Sequence, residues 1–403
     1  MTREPHGLII GKFYPLHAGH LALIRYAAQH ADRITVLVMG STFETMSLAD
    51  RQRWVAAETA GLGNVAVLGI RSDAPVEYDT AIAWEAHVAS TVAALAAAGA
   101  PPVTAVFSSE HYGDEFAARL GARHRVFDTS REAVTVSGTM IRGDLAGQWG
   151  QVAASARLDL ATRVIVVGAE STGSTTLSRA LVGHYRAQGF ERMPQVEEFG
   201  RQFTYDLHAC AVAAAGHDVP MDDLVWLPEH FAEIAARQTA LENEAALASP
   251  LVIADTDALA TELWERRYLG STSPETHRAG ADDLPSRDVY LVTDHVGVPF
   301  EQDGWRDGEH VRAAMTSWFV EELTRRGHSW VLLRGPHDER LRYATRLIDE
   351  LWRRNTAFGQ APWADRTVLA AAAAAVGAAA PVEERSPTRR SRSEASRDQG
   401  ALQ

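Results

Sequence analysis

The chain has 403 residues, of which 46% are apolar and 23% charged, the balance of a soluble globular protein with room for two ordinary domains. A formal net charge of −13 argues against DNA or an anionic membrane as a partner, because the overall field repels phosphate except where basic residues are gathered. The single cysteine, Cys210, excludes an intrachain disulfide and a cysteine-rich zinc site. No apolar run reaches the ~18 residues of a membrane helix and no signal-peptide pattern opens the chain, so the expected location is cytoplasmic.

In chain order, Gly7–Gly11, Arg33–Gly40, Val65–Ile70, Val103–Ser108 and His124–Asp128 read as buried strands. Between them Gly19–His30, Asp50–Ala60, Ala81–Ala98 and Glu115–Leu120 read as helices, with Gly99 placed to end the third. Strand–helix alternation implies βαβ units on a mainly parallel sheet. The pattern restarts after Leu158–Arg163. Strands are expected at Arg163–Val167, Gln195–Glu198, Leu251–Ala254, Val289–Thr293 and Trp330–Arg334, and helices at Thr175–Gln188, Leu224–Leu247, His310–Arg326 and Asp338–Arg354. The expected organisation is α/β with two parallel-sheet, three-layer domains, 1–158 and 159–364. A tail, 365–403, is too poor in large apolar residues to offset its ordering entropy and is expected to be disordered.

The first loop with chemistry runs from Gly11 to His20. A strand ends at Gly11, and Lys12, Phe13, Tyr14, Pro15, Leu16 and His17 lead into a helix near Gly19. Strand carboxyl ends are where parallel sheets bind ligands, and a helix N-terminus suits phosphate. His17 and His20 lie about one helical turn apart and face one ligand. With Lys12 they stabilise charge developing on phosphorus and on a leaving pyrophosphate. Of 39 basic residues only Lys12 is a lysine, which singles it out in a chain that otherwise uses arginine.

This string resembles the HxGH signature of the nucleotidyltransferases, in particular the nicotinamide-mononucleotide adenylyltransferases. Val136–Arg142 matches the family's second element. The resemblance implies that Ser137 and Thr139 cap a helix and donate to phosphate, that Arg142 pairs with the β and γ phosphates, and that Gly11 and Phe13 border the nucleotide. It implies that Arg51 and Trp54, in Asp50–Trp54, meet the mononucleotide, with core packing the other reading of Trp54, and that Phe107–Glu110 lies on the adenine side. Transfer of AMP from ATP to nicotinamide mononucleotide follows, giving NAD and pyrophosphate with Mg²⁺ and no covalent enzyme intermediate.

A second loop, Gly168-Ala169-Glu170-Ser171-Thr172-Gly173-Ser174-Thr175-Thr176, follows a strand and precedes a helix, the context of a phosphate-binding P-loop. Gly168 and Gly173 have the expected spacing, and Thr175 stands where a hydroxyl holds Mg²⁺. Ser174 occupies the usual lysine position and offers a hydrogen bond without a charge. Val252–Asp257 is an apolar strand ending in two aspartates. Asp255 is the expected Mg²⁺-side carboxylate, and Asp257 a substrate group or a helix cap.

A P-loop domain after a nucleotidyltransferase domain resembles the NadR-type bifunctional enzymes, over roughly residues 7–355. The fold class expected is therefore a Rossmann-like nucleotidyltransferase joined to a P-loop kinase-like domain. The resemblance implies a ribosylnicotinamide kinase in the second half, with Gln302–Arg306 as a lid carrying Arg306. With the first strand already at Gly7, the family's N-terminal DNA-binding domain is expected to be absent. Expected ligands are ATP as substrate, nicotinamide mononucleotide and ribosylnicotinamide. Two other readings stay open: a catalytically weak, nucleotide-sensing P-loop domain, and another phosphorylated acceptor such as a phosphopantetheine or phosphocholine. Oligomeric state is not legible, and a homo-oligomer is compatible with the sequence.

Overall fold

The computed structural model describes residues 3–74, 80–128, 135–303, 305–306 and 308–359; the tail expected over 365–403 lies outside them. The first sheet is built from β1 (Gly7–Gly11), β2 (Ile34–Gly40), β3 (Val65–Arg71), β4 (Ala105–Ser108) and β5 (Arg123–Val126). All pairs are parallel, in the order β3-β2-β1-β4-β5. The connections are α1 (Ala18–His30), α2 (Leu48–Thr59), α3 (Ala81–Ala97) and α4 (Tyr112–Arg119). β1 pairs on both sides, Gly7 with Ile34 and with Ala105. Strand order reverses across β1, so Gly11 opens into the crevice where doubly wound sheets hold ligands.

After α5 (Gly138–Gly143) and α6 (Ala154–Leu160), the second sheet comprises β6 (Thr162–Gly168), β7 (Leu251–Asp255), β8 (Val289–Thr293) and β9 (Trp330–Leu333), parallel in the order β7-β6-β8-β9. Around it lie α7 (Ser174–Ala187), α8 (Phe199–Ala215), α9 (Pro228–Ala248), α10 (Ala258–Leu269), α11 (Pro274–Gly280), α12 (Arg312–Arg325) and α13 (His337–Thr356). β6, β7 and β8 are nearly continuous buried apolar runs, as strands covered on both faces must be.

Several expectations are corrected. The strand expected at Gln195–Glu198 is a single parallel bridge from Val196 to Ala254. The chain leaves the sheet edge there because Phe199 N–H donates to Gln238 Oε1 at 2.9 Å and starts α8. The helix expected from Leu224 begins at Pro228, where a missing N–H costs nothing. The strand expected from Val103 begins at Ala105. Helices α8, α10 and α11 carry no expectation from sequence.

The described residues all belong to one compact unit. α6 packs against α2 of the first half and α9 of the second, and the seam is pinned by side chains: Trp149 Nε1 donates to Ala246 O at 2.9 Å and Arg157 to Leu247 O. Among the described residues no helix is long and apolar enough to cross a membrane.

Candidate functional site

The first site sits at the carboxyl end of β1. Phe13 takes a left-handed backbone, φ 49°, unusual for a bulky side chain and a mark of a loop held by its surroundings. His17 caps α1, its Nδ1 accepting from Gly19 N–H at 3.2 Å. The His17 and His20 rings stack at 3.7 Å between centroids, and Phe13 lies 4.7 Å from His20. Burial first, then the His17 charge, hold the His20 pKa well below the usual histidine value, so its imidazole is neutral at neutral pH. Its Nδ1 is buried with no hydrogen-bond partner.

Tyr14 organises the cations. Arg142 Nη1 donates to Tyr14 O at 2.6 Å, and its Nη2 to Thr139 Oγ1 at 3.2 Å. The guanidinium carbons of Arg142 and Arg51 lie 5.2 and 5.3 Å from the Tyr14 ring centroid, within cation–π range. Ser137 caps α5 by accepting from Met140 N–H. Lys12 Nζ pairs with Glu44 Oε1 at 3.1 Å, its side chain 39% exposed. Lys12, His17, His20 and Arg142 thus share one loop system with Gly11, Phe13, Ser137 and Thr139.

Arg51 and Trp54 stand elsewhere. Arg51 is 1% exposed; its guanidinium binds Glu44 at 2.8 Å and donates to Lys12 O at 2.8 Å. Trp54 is 2% exposed and donates to Asp159 Oδ2 at 2.5 Å. Arg51 braces the Lys12 backbone and Trp54 lies against Asp159; both side chains are buried. Glu44, which joins Lys12 to Arg51, carried no sequence signal beyond its charge.

The second site is a cavity of 480 Å³ lined by the whole loop from Gly168 through Thr172, Gly173 and Ser174 to Thr176. A Cβ on Gly168 would lie 2.2 Å from Thr293 Oγ1 and 2.4 Å from Thr172 Oγ1, so only glycine lets the end of β6 pass this close to both hydroxyls. Ser171 is left-handed, φ 57°, as is Thr256 at the end of β7, φ 72°. Asp255 faces the cavity with Glu198, from the start of α8. Burial, then the Asp255 charge, pushes Glu198 up to about 7. Burial pushes Asp255 up to about 6, against a hydrogen bond from Thr175 that pulls it down.

Three arginines bond the loop at Ser171 and Thr172, three and two residues before Ser174. Arg306 Nη1 donates to Ser171 Oγ at 3.0 Å, Arg312 Nη2 to Ser171 O at 2.9 Å and Arg340 Nη1 to Thr172 O at 2.8 Å. The far wall carries Trp226, Phe231, Trp264, Tyr268 and Trp305, with Trp226 and Tyr268 stacked at 5.2 Å. This aromatic wall was missed from sequence. Its one local signal is Trp264 and Tyr268 one turn apart on α10.

Asp257 does not reach the cavity. It is fully buried and caps α10 by accepting from Ala260 N–H at 3.0 Å. It also accepts from Tyr290 Oη at 2.7 Å and pairs with Arg287 at 3.3 Å. Of its two sequence readings, the helix cap is the one the geometry contains.

Residues 163–340 match the model of the AAA domain family. The chain is 23% identical to the trifunctional NAD biosynthesis/regulator protein NadR of Salmonella typhimurium, over 86% of this chain and 83% of that protein. It is 22% identical to NadR of Escherichia coli, over 74% and 71% respectively. Among solved structures it is similar to a NadR protein in complex with NR, with a TM-score of 0.55 and 22% identity over 87% of this chain and 96% of that one. A NadR complex with NAD and AMP-PNP matches with a TM-score of 0.53 and 20% identity over the same shares. The common fold spans both sheets.

Proposed function

The chain is a homologue of NadR, and we propose that it works in NAD salvage, transferring AMP from ATP to nicotinamide mononucleotide at the first site and phosphorylating ribosylnicotinamide at the second. The observation that carries the reading is the stacked His17–His20 pair at the start of α1, on the same loop as Lys12 and beside Arg142. A mononucleotide phosphate oxygen attacks the α-phosphorus of ATP, the bond to the β-phosphate oxygen breaks, and pyrophosphate leaves. His17 and His20 orient and donate to the phosphate oxygens at the helix start. Lys12 and Arg142 supply positive charge where it develops, and none of the four forms a covalent bond.

At the second site the P-loop backbone and the start of α7 hold phosphates. The aromatic wall beside Glu198 and Asp255 suits a flat cationic ring such as the pyridinium of ribosylnicotinamide. The all-oxygen set of Thr175 and Asp255, with Glu198 beside it, fits Mg²⁺, which takes one or two protein oxygens and keeps waters and phosphates. When bound it neutralises charge on the β and γ phosphates. Ser174 favours a second reading of this site alone, as a nucleotide sensor with weak turnover.

The test is the intact chain with ATP, Mg²⁺ and either nicotinamide mononucleotide or ribosylnicotinamide, products resolved by chromatography. NAD and pyrophosphate from the first substrate support the adenylyl-transfer reading; their absence refutes it. ATP binding without mononucleotide formation from the second substrate selects the sensor.

A further inference from the structure

The end of the second half reaches the first site. After α13 the chain runs through Ala357 and Phe358 to Gly359 and lies against Tyr14, whose Oη donates to Gly359 O at 2.7 Å across 345 residues of sequence. The Phe358 ring meets the Tyr14 ring edge-on at 6.3 Å. Thr45 closes the arrangement. Its N–H donates to Tyr14 Oη at 3.0 Å, its Oγ1 lies 2.7 Å from the same oxygen, and Gly359 N–H donates to Thr45 Oγ1 at 3.3 Å. Because Tyr14 gives its one hydroxyl proton to Gly359 O, Thr45 Oγ1 must donate to Tyr14. Every polar hydrogen in the ring then has one place, and the ring has one direction.

The two loops so tied are those that hold the cations. Glu44, between Phe43 and Thr45, pairs with Lys12 Nζ and Arg51. Tyr14 O accepts from Arg142. Gly359 is there for a steric reason, since a Cβ on it would lie 2.4 Å from Phe43 O, a backbone atom that moves only with its loop.

We propose that Phe358 and Gly359 are positioning residues of the adenylyltransferase site: they clamp the Tyr14 and Phe43–Thr45 loops together and so set where Lys12 and Arg142 stand. The inference rests on the adenylyl-transfer reading for its kinetic consequence, and on the geometry alone for its effect on Lys12. Misplacing a charged group by a fraction of the distance that costs about 10² in rate is enough to be read in kcat.

The experiment uses the full chain and compares Gly359→Ala, Tyr14→Phe and the double variant. Adenylyl transfer is expected to fall about tenfold in kcat in each, with KM for the mononucleotide changed less than twofold and ATP binding at the second site unchanged. The double variant is expected to be no worse than the poorer single one, because both break the same ring. In parallel, the rate of Lys12 modification by an amine-selective reagent is followed by peptide mass spectrometry. That rate is expected to change at least threefold in Gly359→Ala, and this arm needs no turnover. If the unaltered chain makes no NAD while Lys12 reactivity still responds to Gly359→Ala, the functional reading fails and the clamp stands. Unchanged kcat with unchanged Lys12 reactivity overturns the clamp. So does a loss of kcat that comes with equal losses in unfolding temperature and second-site ATP binding, since that is a structural role only.

Discussion

The guanidinium of Arg306 donates to the hydroxyl of Ser171 at 3.0 Å, which brings a residue from the segment read as a lid onto the loop that lacks its lysine. The arginine also faces Glu301 and Asp303, at 3.3 and 3.4 Å, so it is held over the loop from the lid side. Arg306 thus places a positive charge on this loop from outside it, whereas a P-loop lysine belongs to the loop itself.

Arg306→Ala is therefore expected to weaken ATP·Mg²⁺ binding at the second site by about tenfold, the value of one lost charge-assisted hydrogen bond at roughly 1.5 kcal/mol. Ser174→Lys in that background should recover most of the loss, and in the unaltered chain it should add little, because Arg306 already brings a cation to this loop at Ser171. Titration calorimetry with a non-hydrolysable ATP analogue reads all three. Full affinity in Arg306→Ala would move the role to Arg340.

His20 is neutral in the free protein because burial and the His17 charge disfavour its protonation. A polyphosphate bound at the start of α1 reverses that balance, since a nearby negative charge raises a histidine pKa. The bound state then holds more protons than the free one, so ATP binding at this site is expected to take up protons and to tighten as pH falls. Calorimetry in buffers of different ionisation enthalpy should report the uptake, and His20→Ala should abolish it. The same substitution is expected to lower adenylyl transfer by about 10²–10³ while α1 and the second site remain folded.

Lys12 can be probed without mutation, because an amine reagent has only this side chain and the N-terminal amine to modify. With its ammonium 3.1 Å from Glu44 and its side chain 39% exposed, it is reachable in the free protein. ATP or NAD should slow its labelling, and labelled protein should lose adenylyl transfer yet keep ATP binding at the second site. Lys12→Arg is expected to lose activity as well, since a planar fork does not occupy the place of a compact ammonium. Labelling that ligands do not slow would remove Lys12 from the site.

Asp257→Ala should behave as a stability variant. It deletes the α10 cap and leaves Tyr290 Oη and the buried Arg287 short of an acceptor, for a cost of about 3–5 kcal/mol. Chemical unfolding should show the drop, with ATP affinity at the second site kept under conditions where the protein is folded. A normal unfolding midpoint combined with lost phosphoryl transfer would instead make Asp257 a substrate group.

Local order along the chain was enough to mark the two glycine-bordered loops that follow β1 and β6. A strand that ends in glycine and a helix that starts a few residues later is a contiguous pattern. Gly11–His20 and Gly168–Thr176 each lie within one such stretch; β1 ends at Gly11 where hydropathy placed it, and β6 runs one residue past Val167 to Gly168. The alternation of strands and helices was likewise a local signal, sufficient for parallel sheets. What each side chain faces was not local. Arg51 and Trp54 lie next to one another on α2 with residue types suited to a nucleotide, yet both turn inward, because Glu44 and Asp159 arrive from other segments to take their polar atoms. Asp257 turns away from the cavity because Arg287 and Tyr290 are brought beneath it by β8. The arginines that bond Ser171 and Thr172 come from the segment before α12, α12 and α13, and the clamp on Tyr14 from a glycine 345 residues away. Such pairings depend on which distant segments the packing places side by side, and a buried polar atom takes the partner within reach, whatever its neighbours in sequence.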